Sequence, residues 1–178
     1  MSSSIRIANR QIGLECPPFV IAEMSGNHNH SLDRALALVD AAAAAGAHAL
    51  KLQTYTADTM TLPLKTGAFV IRDPNSLWAG RSLYDLYEEA HTPWNWHGPI
   101  FERARAHGMI PFSTPFDDTA VDFLESLDVA LYKIASFEMT DVNLVRRVAR
   151  TGKPMLISTG MASVAEIGET VAAARDAG

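Results

Sequence analysis

Lys51 and Lys133 are the residues from which a chemistry can first be read. Each stands in a short apolar run, Ala47 to Gln53 and Ala130 to Ser136. Each run ends in further polar groups, Gln53 and Thr54 in one and Ser136 and Glu138 in the other. Three more runs end the same way. Phe19 to Met24 carries Glu23 and leads into Ser25-Gly26-Asn27-His28-Asn29-His30. Met109 to Thr114 closes on Ser113-Thr114, and Pro154 to Thr159 on Ser158-Thr159 before Gly160. An ammonium supplies point charge, while hydroxyls and backbone N–H groups supply directed bonds, so this set suits a phosphate or a carboxylate. A lysine inside an apolar strand is costly without a partner. Pairing with Glu23 or Glu138 is therefore the structural alternative, and Schiff-base formation is the other chemical one. Glu23 reads either as a general acid or base or as the partner of a neighbouring lysine. Ser113, Thr114, Ser158 and Thr159 either meet the ligand or cap the helices that follow.

The histidines say less. His28 and His30 form a His-x-His pair, but two histidines on a loop do not make a metal site. His48, His91, His97 and His107 read as surface or packing residues. Trp94 and Trp96, beside Pro93, read as anchors for a helix start, and Met155 and Met161 as packing.

The elements that must position these groups follow from the same stretch of chain. Between the five apolar runs lie helical stretches: Ser31 to Ala45, Trp94 to His107, Asp117 to Leu127, Asp141 to Thr151 and Ser163 to Ala177. Ser31, Asp117, Asp141 and Ser163 are N-caps, and Glu166 makes a capping box with Ser163. Gly46, Gly108 and Gly152 mark helix ends. Short apolar strands without alternation, joined by helices, define a parallel sheet buried on both faces. In such folds the ligand lies outside the carboxyl ends of the strands, where the polar groups fall. Ile5 to Leu14 alternates around Asn9-Arg10 and reads as a small hairpin. The connection from Gln53 to Trp94 is long, with Pro63, Gly67, Pro74 and Gly80 and a helical stretch from Ser82 to Glu89. A loop of that size is usually functional, here a lid or substrate wall.

The chain has 178 residues, 48% of them hydrophobic, and a net charge of −5. That composition excludes disorder, and the charge gives no global field for nucleic acid or anionic lipid. The single cysteine, Cys16, forms no internal disulfide and points to the cytoplasm. No apolar leader is read in Met1 to Arg10, and no apolar stretch approaches the roughly 20 residues of a membrane span. A complete (β/α)8 barrel takes about 250 residues, so residues 1–178 are expected to form an N-terminal hairpin and about five βα units of such a barrel.

The motifs Ile21-Ala22-Glu23-Met24-Ser25-Gly26-Asn27-His28-Asn29, Lys51-Leu52-Gln53-Thr54, Phe112-Ser113-Thr114-Pro115-Phe116, Tyr132-Lys133-Ile134-Ala135-Ser136 and Ser158-Thr159-Gly160-Met161, in this order, resemble the N-acetylneuraminate synthase family. Gly80-Arg81-Ser82-Leu83-Tyr84-Asp85-Leu86-Tyr87 and Thr92-Pro93-Trp94 look like its pseudaminic acid branch. The resemblance implies a metal-dependent, TIM-barrel transferase that condenses phosphoenolpyruvate (PEP) with an amino sugar. In the pseudaminic branch the sugar is a 2,4-diacetamido-2,4,6-trideoxy hexose, and sialic or legionaminic acid precursors are the alternatives. It places Lys51, Thr114, Lys133, Ser136 and Ser158 where the family holds PEP, and Glu23 at its catalytic carboxylate. Gln53 is expected beside them, with Tyr55, Asp58 and Arg81 as candidates for sugar recognition. It also implies a divalent metal, Mn2+ or Mg2+, whose histidine ligands are expected outside this chain. Three further strands, a phosphate-site asparagine, an antifreeze-like domain and a homodimer complete the implied enzyme. This chain alone is accordingly expected to show no synthase activity. A Schiff-base aldolase and a non-catalytic anion-binding fragment are the competing functions.

Overall fold

Alternation along the strands decides which side chains of this chain meet. The computed structural model describes residues 4–178, so the first three residues of the Met1 to Arg10 stretch lie outside it. An antiparallel hairpin comes first, β1 (Ile5–Ile7) and β2 (Arg10–Ile12), paired Ile7 to Arg10, so that the turn is Ala8-Asn9, one residue earlier than the expected Asn9-Arg10. Five parallel strands follow: β3 (Ile21–Glu23), β4 (Ala49–Thr54), β5 (Ile110–Pro115), β6 (Tyr132–Ile134) and β7 (Met155–Ile157). They lie side by side in chain order and form a half-barrel. The helices between and after them are α1 (Leu32–Ala44), α2 (Ala57–Met60), α3 (Leu83–Ala90), α4 (Trp94–Ala106), α5 (Asp118–Ser126), α6 (Val142–Ala149) and α7 (Val164–Ala177).

The expected caps form. Ser31, Asp117, Asp141 and Ser163 each accept backbone N–H groups of the first turn, and Ser163 with Glu166 closes a capping box. Gly46, Gly108 and Gly152 take left-handed φ values of 84°, 74° and 69°, which reverse the chain into the next strand.

Each strand presents two faces. Ala22, Leu50, Leu52, Tyr132 and Ile134 turn toward the helices and pack on Val39, Ile100, Phe101, Leu124 and Val148. Ala49, Ile110, Phe112 and Leu131 turn the other way. There, with Ile21 and Leu156, they meet Ile7 and Ile12 of the hairpin, which closes the floor of the half-barrel. Going up this inner face, apolar residues give way to Glu23 and Lys51, and then to Gln53 and Thr114. The register pairs Glu23 with Lys51 and Gln53 with Thr114.

The long connection after β4 is ordered against the barrel rather than trailing from it. Val70 bridges Ser82, α2 packs on α3, and Tyr84 Oη donates to Asp58 at 2.9 Å.

Candidate active site

The floor of the site is the inner face of β4, β5 and β6. Lys51 is buried, and its Nζ lies 3.3 Å from a Glu23 carboxylate oxygen, while the Glu23 side chain itself stays 62% exposed. One of the two pairings open from the sequence is therefore made. Ser113 pairs with Tyr132, which sets Thr114 level with Lys133 on the inner face. Lys133 has no ion pair among the described residues. Burial and the nearby Lys51 ammonium lower its pKa, against the pull of Glu23 and Glu138. Burial raises the pKa of Glu138, and its Oε2 is buried without a hydrogen-bond partner. Lys51 and Lys133 thus stand close together on the inner face, the first ion-paired to Glu23 and the second in no ion pair among the described residues, an arrangement that suits a small anion at Lys133.

Thr114 adds a second unsatisfied group. It is 1% exposed, and its hydroxyl has no partner. The alternative that Ser113 or Thr114 caps the following helix is not met, because Asp117 caps α5. Ser158 continues from β7, its N–H donating to Ile134 O at 3.0 Å. Ser136 lies over the same end, close enough that a Cβ on Gly160 would sit 3.7 Å from its Oγ. Lys51, Thr114, Lys133, Ser136 and Ser158 are thereby brought to one end of the sheet.

Beside these residues opens a cleft of about 720 Å³. Gln53 and Tyr55 line it from the strand end, Ser25, Asn27 and Asn29 from the β3–α1 loop, and Tyr87 and Ala90 from α3. Ser25 Oγ donates to Gln53 Oε1 at 2.9 Å. Tyr55 is held edge-on by Tyr87, His91 and Phe116, and burial pushes its hydroxyl pKa up to about 12. Asp58 and Arg81, the other candidates on the long loop, do not line this cleft. Asp58 accepts from Tyr84, and Arg81 pairs with Glu89 at 2.6 Å, so both are engaged in packing the loop.

Behind the strands is a chain of hydrogen bonds that the residue types did not announce. Thr54, His97 and Ser113 are fully buried. His97 Nδ1 lies 3.3 Å from Pro93 O, a carbonyl that can only accept, so Nδ1 carries the proton and Nε2 accepts. Thr54 Oγ1, at 2.9 Å, then donates to Nε2, and Ser113 Oγ donates to Thr54 at 2.6 Å. Burial lowers the His97 pKa to about 4 and keeps the ring neutral. Gln53 and Thr114 are the chain neighbours of Thr54 and Ser113, so this network fixes the backbone from which both reach the site. Only the burial of His97, invisible in its spacing, separates it from a surface histidine.

A parallel α/β half-barrel with two lysines and a buried threonine hydroxyl toward the carboxyl end of its strands defines the class. Residues 38–178 match the NeuB family, and the chain belongs to that family. It is 48% identical over 149 residues to a pseudaminic acid synthase of Campylobacter jejuni serotype O:2, covering 84% of this chain and 43% of that protein. It is 43% identical over 159 residues to a pseudaminic acid synthase of Helicobacter pylori, covering 89% and 46%. The crystal structure of an N-acetylneuraminic acid synthetase from Leptospira borgpetersenii, in complex with citrate, superposes with a TM-score of 0.82 at 29% identity. That match covers 99% of this chain and 56% of the other. The chain thus spans less than half the length of the curated relatives it matches.

Proposed function

We propose that this chain supplies the PEP-binding floor of a nonulosonic acid synthase. The reaction condenses PEP with a 2,4-diacetamido-2,4,6-trideoxy hexose to give pseudaminic acid and phosphate. The observation that carries this reading is that Lys51 and Lys133 share the inner face of the sheet with the buried, partnerless Thr114 hydroxyl. Its chemistry matches a ligand carrying both phosphate and carboxylate. The 43–48% identity to pseudaminic acid synthases supports the choice of sugar.

In this reaction the methylene carbon of PEP forms the new bond to the sugar's aldehyde carbon. Water adds at the resulting cationic carbon, and phosphate leaves with cleavage of its C–O bond. Lys51 and Lys133 neutralise the phosphate and carboxylate and fix the enol double bond. Thr114, Ser136 and Ser158 offer directed hydrogen bonds to the same oxygens. Glu23, held by Lys51 yet open to solvent, orients the attacking water and takes its proton in this reading. Gln53 stands between these residues and the cleft, and the cleft receives the sugar.

The family resemblance also implies Mn2+ or Mg2+. Among the described residues no group of three or more His, Cys, Asp or Glu is placed to hold such an ion. A homodimer in the cytoplasm belongs to this proposal, and light scattering on the full chain tests the dimer. No described helix is long and apolar enough to cross a membrane.

Isothermal titration with PEP tests the floor, and formation of pseudaminic acid with added Mn2+ by this chain extended to the length of its relatives tests the reaction. Absence of PEP binding overturns the proposal. One observation favours a second reading: the lowered pKa of Lys133 also suits an imine-forming lysine. Borohydride trapping with a keto acid separates the two, since PEP condensation passes through no imine.

A further inference from the structure

The His-x-His of the β3–α1 loop has no part in the proposed reaction, yet one of the pair is wholly buried. His28 is 0% exposed, with Nε2 3.1 Å from Thr92 Oγ1 and Nδ1 accepting the backbone N–H of His30 at 3.2 Å. Because Nδ1 accepts, the proton of the neutral ring sits on Nε2, which therefore donates to Thr92. Only this one tautomer satisfies both contacts. Burial, with His30 and His91 close by, lowers the pKa of His28 and keeps the ring in that form.

The loop held in this way is strained. Ser25, Asn29 and His30 take φ values of 51°, 50° and 53°, the left-handed region that non-glycine residues avoid. That strain persists only where the surroundings enforce it. Arg34 Nε donates to Asn27 O at 2.9 Å from the first turn of α1, and His28 reaches across to Thr92, directly after α3. The two walls of the cleft are these same segments. Ser25, Asn27, Asn29 and His30 form one wall, and Leu86, Tyr87, Glu89 and Ala90 the other. At their base the backbones nearly touch, since a Cβ on Gly26 would lie 3.1 Å from Ala90 O.

We propose that His28 is a positioning residue for the second substrate. Its bond to Thr92 sets the spacing of the two cleft walls, and through Ser25 it sets the orientation of Gln53. The proposal rests on reading the cleft as the place of the sugar.

The test uses the full chain and isothermal titration. The probes are PEP alone and the 2,4-diacetamido-2,4,6-trideoxy hexose at saturating PEP. Thr92→Val keeps the side-chain volume and removes the acceptor. His28→Gln keeps a donor toward Thr92 and removes the acceptor for the His30 N–H. Thr92→Val is expected to weaken sugar binding by about tenfold or more, the scale of one buried hydrogen bond, and His28→Gln, which keeps the bond to Thr92, to weaken it less. PEP affinity is expected to stay within about twofold. Amide exchange at His30 is expected to accelerate in His28→Gln. Unchanged sugar affinity in Thr92→Val overturns the proposal, and so does a parallel loss of PEP and sugar affinity, which would mark a general structural role. If His28→Gln does not fold, Thr92→Val decides. A wild-type chain that binds PEP but not the sugar overturns the assignment of the cleft itself, before any variant is compared.

Discussion

The Thr114 hydroxyl is buried without a partner, and such a group destabilises a fold by about 1–3 kcal/mol relative to a satisfied one. Thr114→Val replaces it with a methyl of the same shape. The variant is expected to be more stable toward urea by about 1 kcal/mol and to bind PEP about tenfold more weakly. A loss of stability without a loss of affinity would place the hydroxyl outside the site. Lys133→Met keeps the length of the side chain and removes its charge. Calorimetry is expected to show PEP binding weakened by about 10–100-fold, the range for a charge-assisted bond. The strand-end lysines, Gln53, Thr114 and the serines were legible in the sequence, because polar groups at the ends of apolar runs have one place to go in a parallel sheet. Asp58 and Arg81 were read as candidates for sugar recognition from their place on the long loop. Their engagement with Tyr84 and Glu89 depends on how the long loop folds back, which no local pattern states.

Among the elements, α4 has a second task beyond packing. His97 on its second turn anchors the ends of β4 and β5, and its folded-state pKa of about 4 lies below the ordinary 6.5. The unfolded chain therefore binds a proton that the folded chain refuses. The stability that the neutral ring contributes is complete above pH 6.5 and is lost progressively as pH falls toward 4. The effect is on the order of 3 kcal/mol, by linkage. His97→Gln is expected to flatten that part of the pH dependence of the thermal midpoint, measured by circular dichroism between pH 7 and 4. A slope unchanged by the substitution would assign the acid lability elsewhere. Helix positions were readable in advance because caps and terminal glycines act within one turn. Four of the five parallel strands came out shorter than the apolar runs, as with Tyr132–Ile134 inside Ala130 to Ser136, because pairing ends where the backbone leaves for the next helix. Neither histidine network was readable. Thr54 lies 43 residues from His97, and His28 lies 64 from Thr92.

At the scale of the molecule, the hairpin decides whether the inner face is a floor or an open hole. Ile7 is fully buried against Ala49, Ile110, Phe112 and Leu131. Ile7→Ala is expected to lower the urea-unfolding free energy by about 2–4 kcal/mol, with the cavity adding to the lost transfer energy. A change below about 0.5 kcal/mol would mean that the plug contributes no packing. Alternation made the hairpin recognisable, but its docking beneath the sheet is a long-range contact that a three-residue strand does not encode.

The order of the parallel strands has one more consequence. Every strand lies beside its predecessor in the chain, so each βα unit finds its sheet partner already in place. A ribosome emitting this polypeptide can lay the sheet down in sequence, with no strand waiting for a later one to be inserted between neighbours. The site would then ripen in steps during synthesis. The Glu23–Lys51 pair forms with the second parallel strand, and the competing second cation arrives only with the fourth. Until then the growing chain carries only the Glu23–Lys51 pair, and Lys133, in no ion pair among the described residues, joins it late.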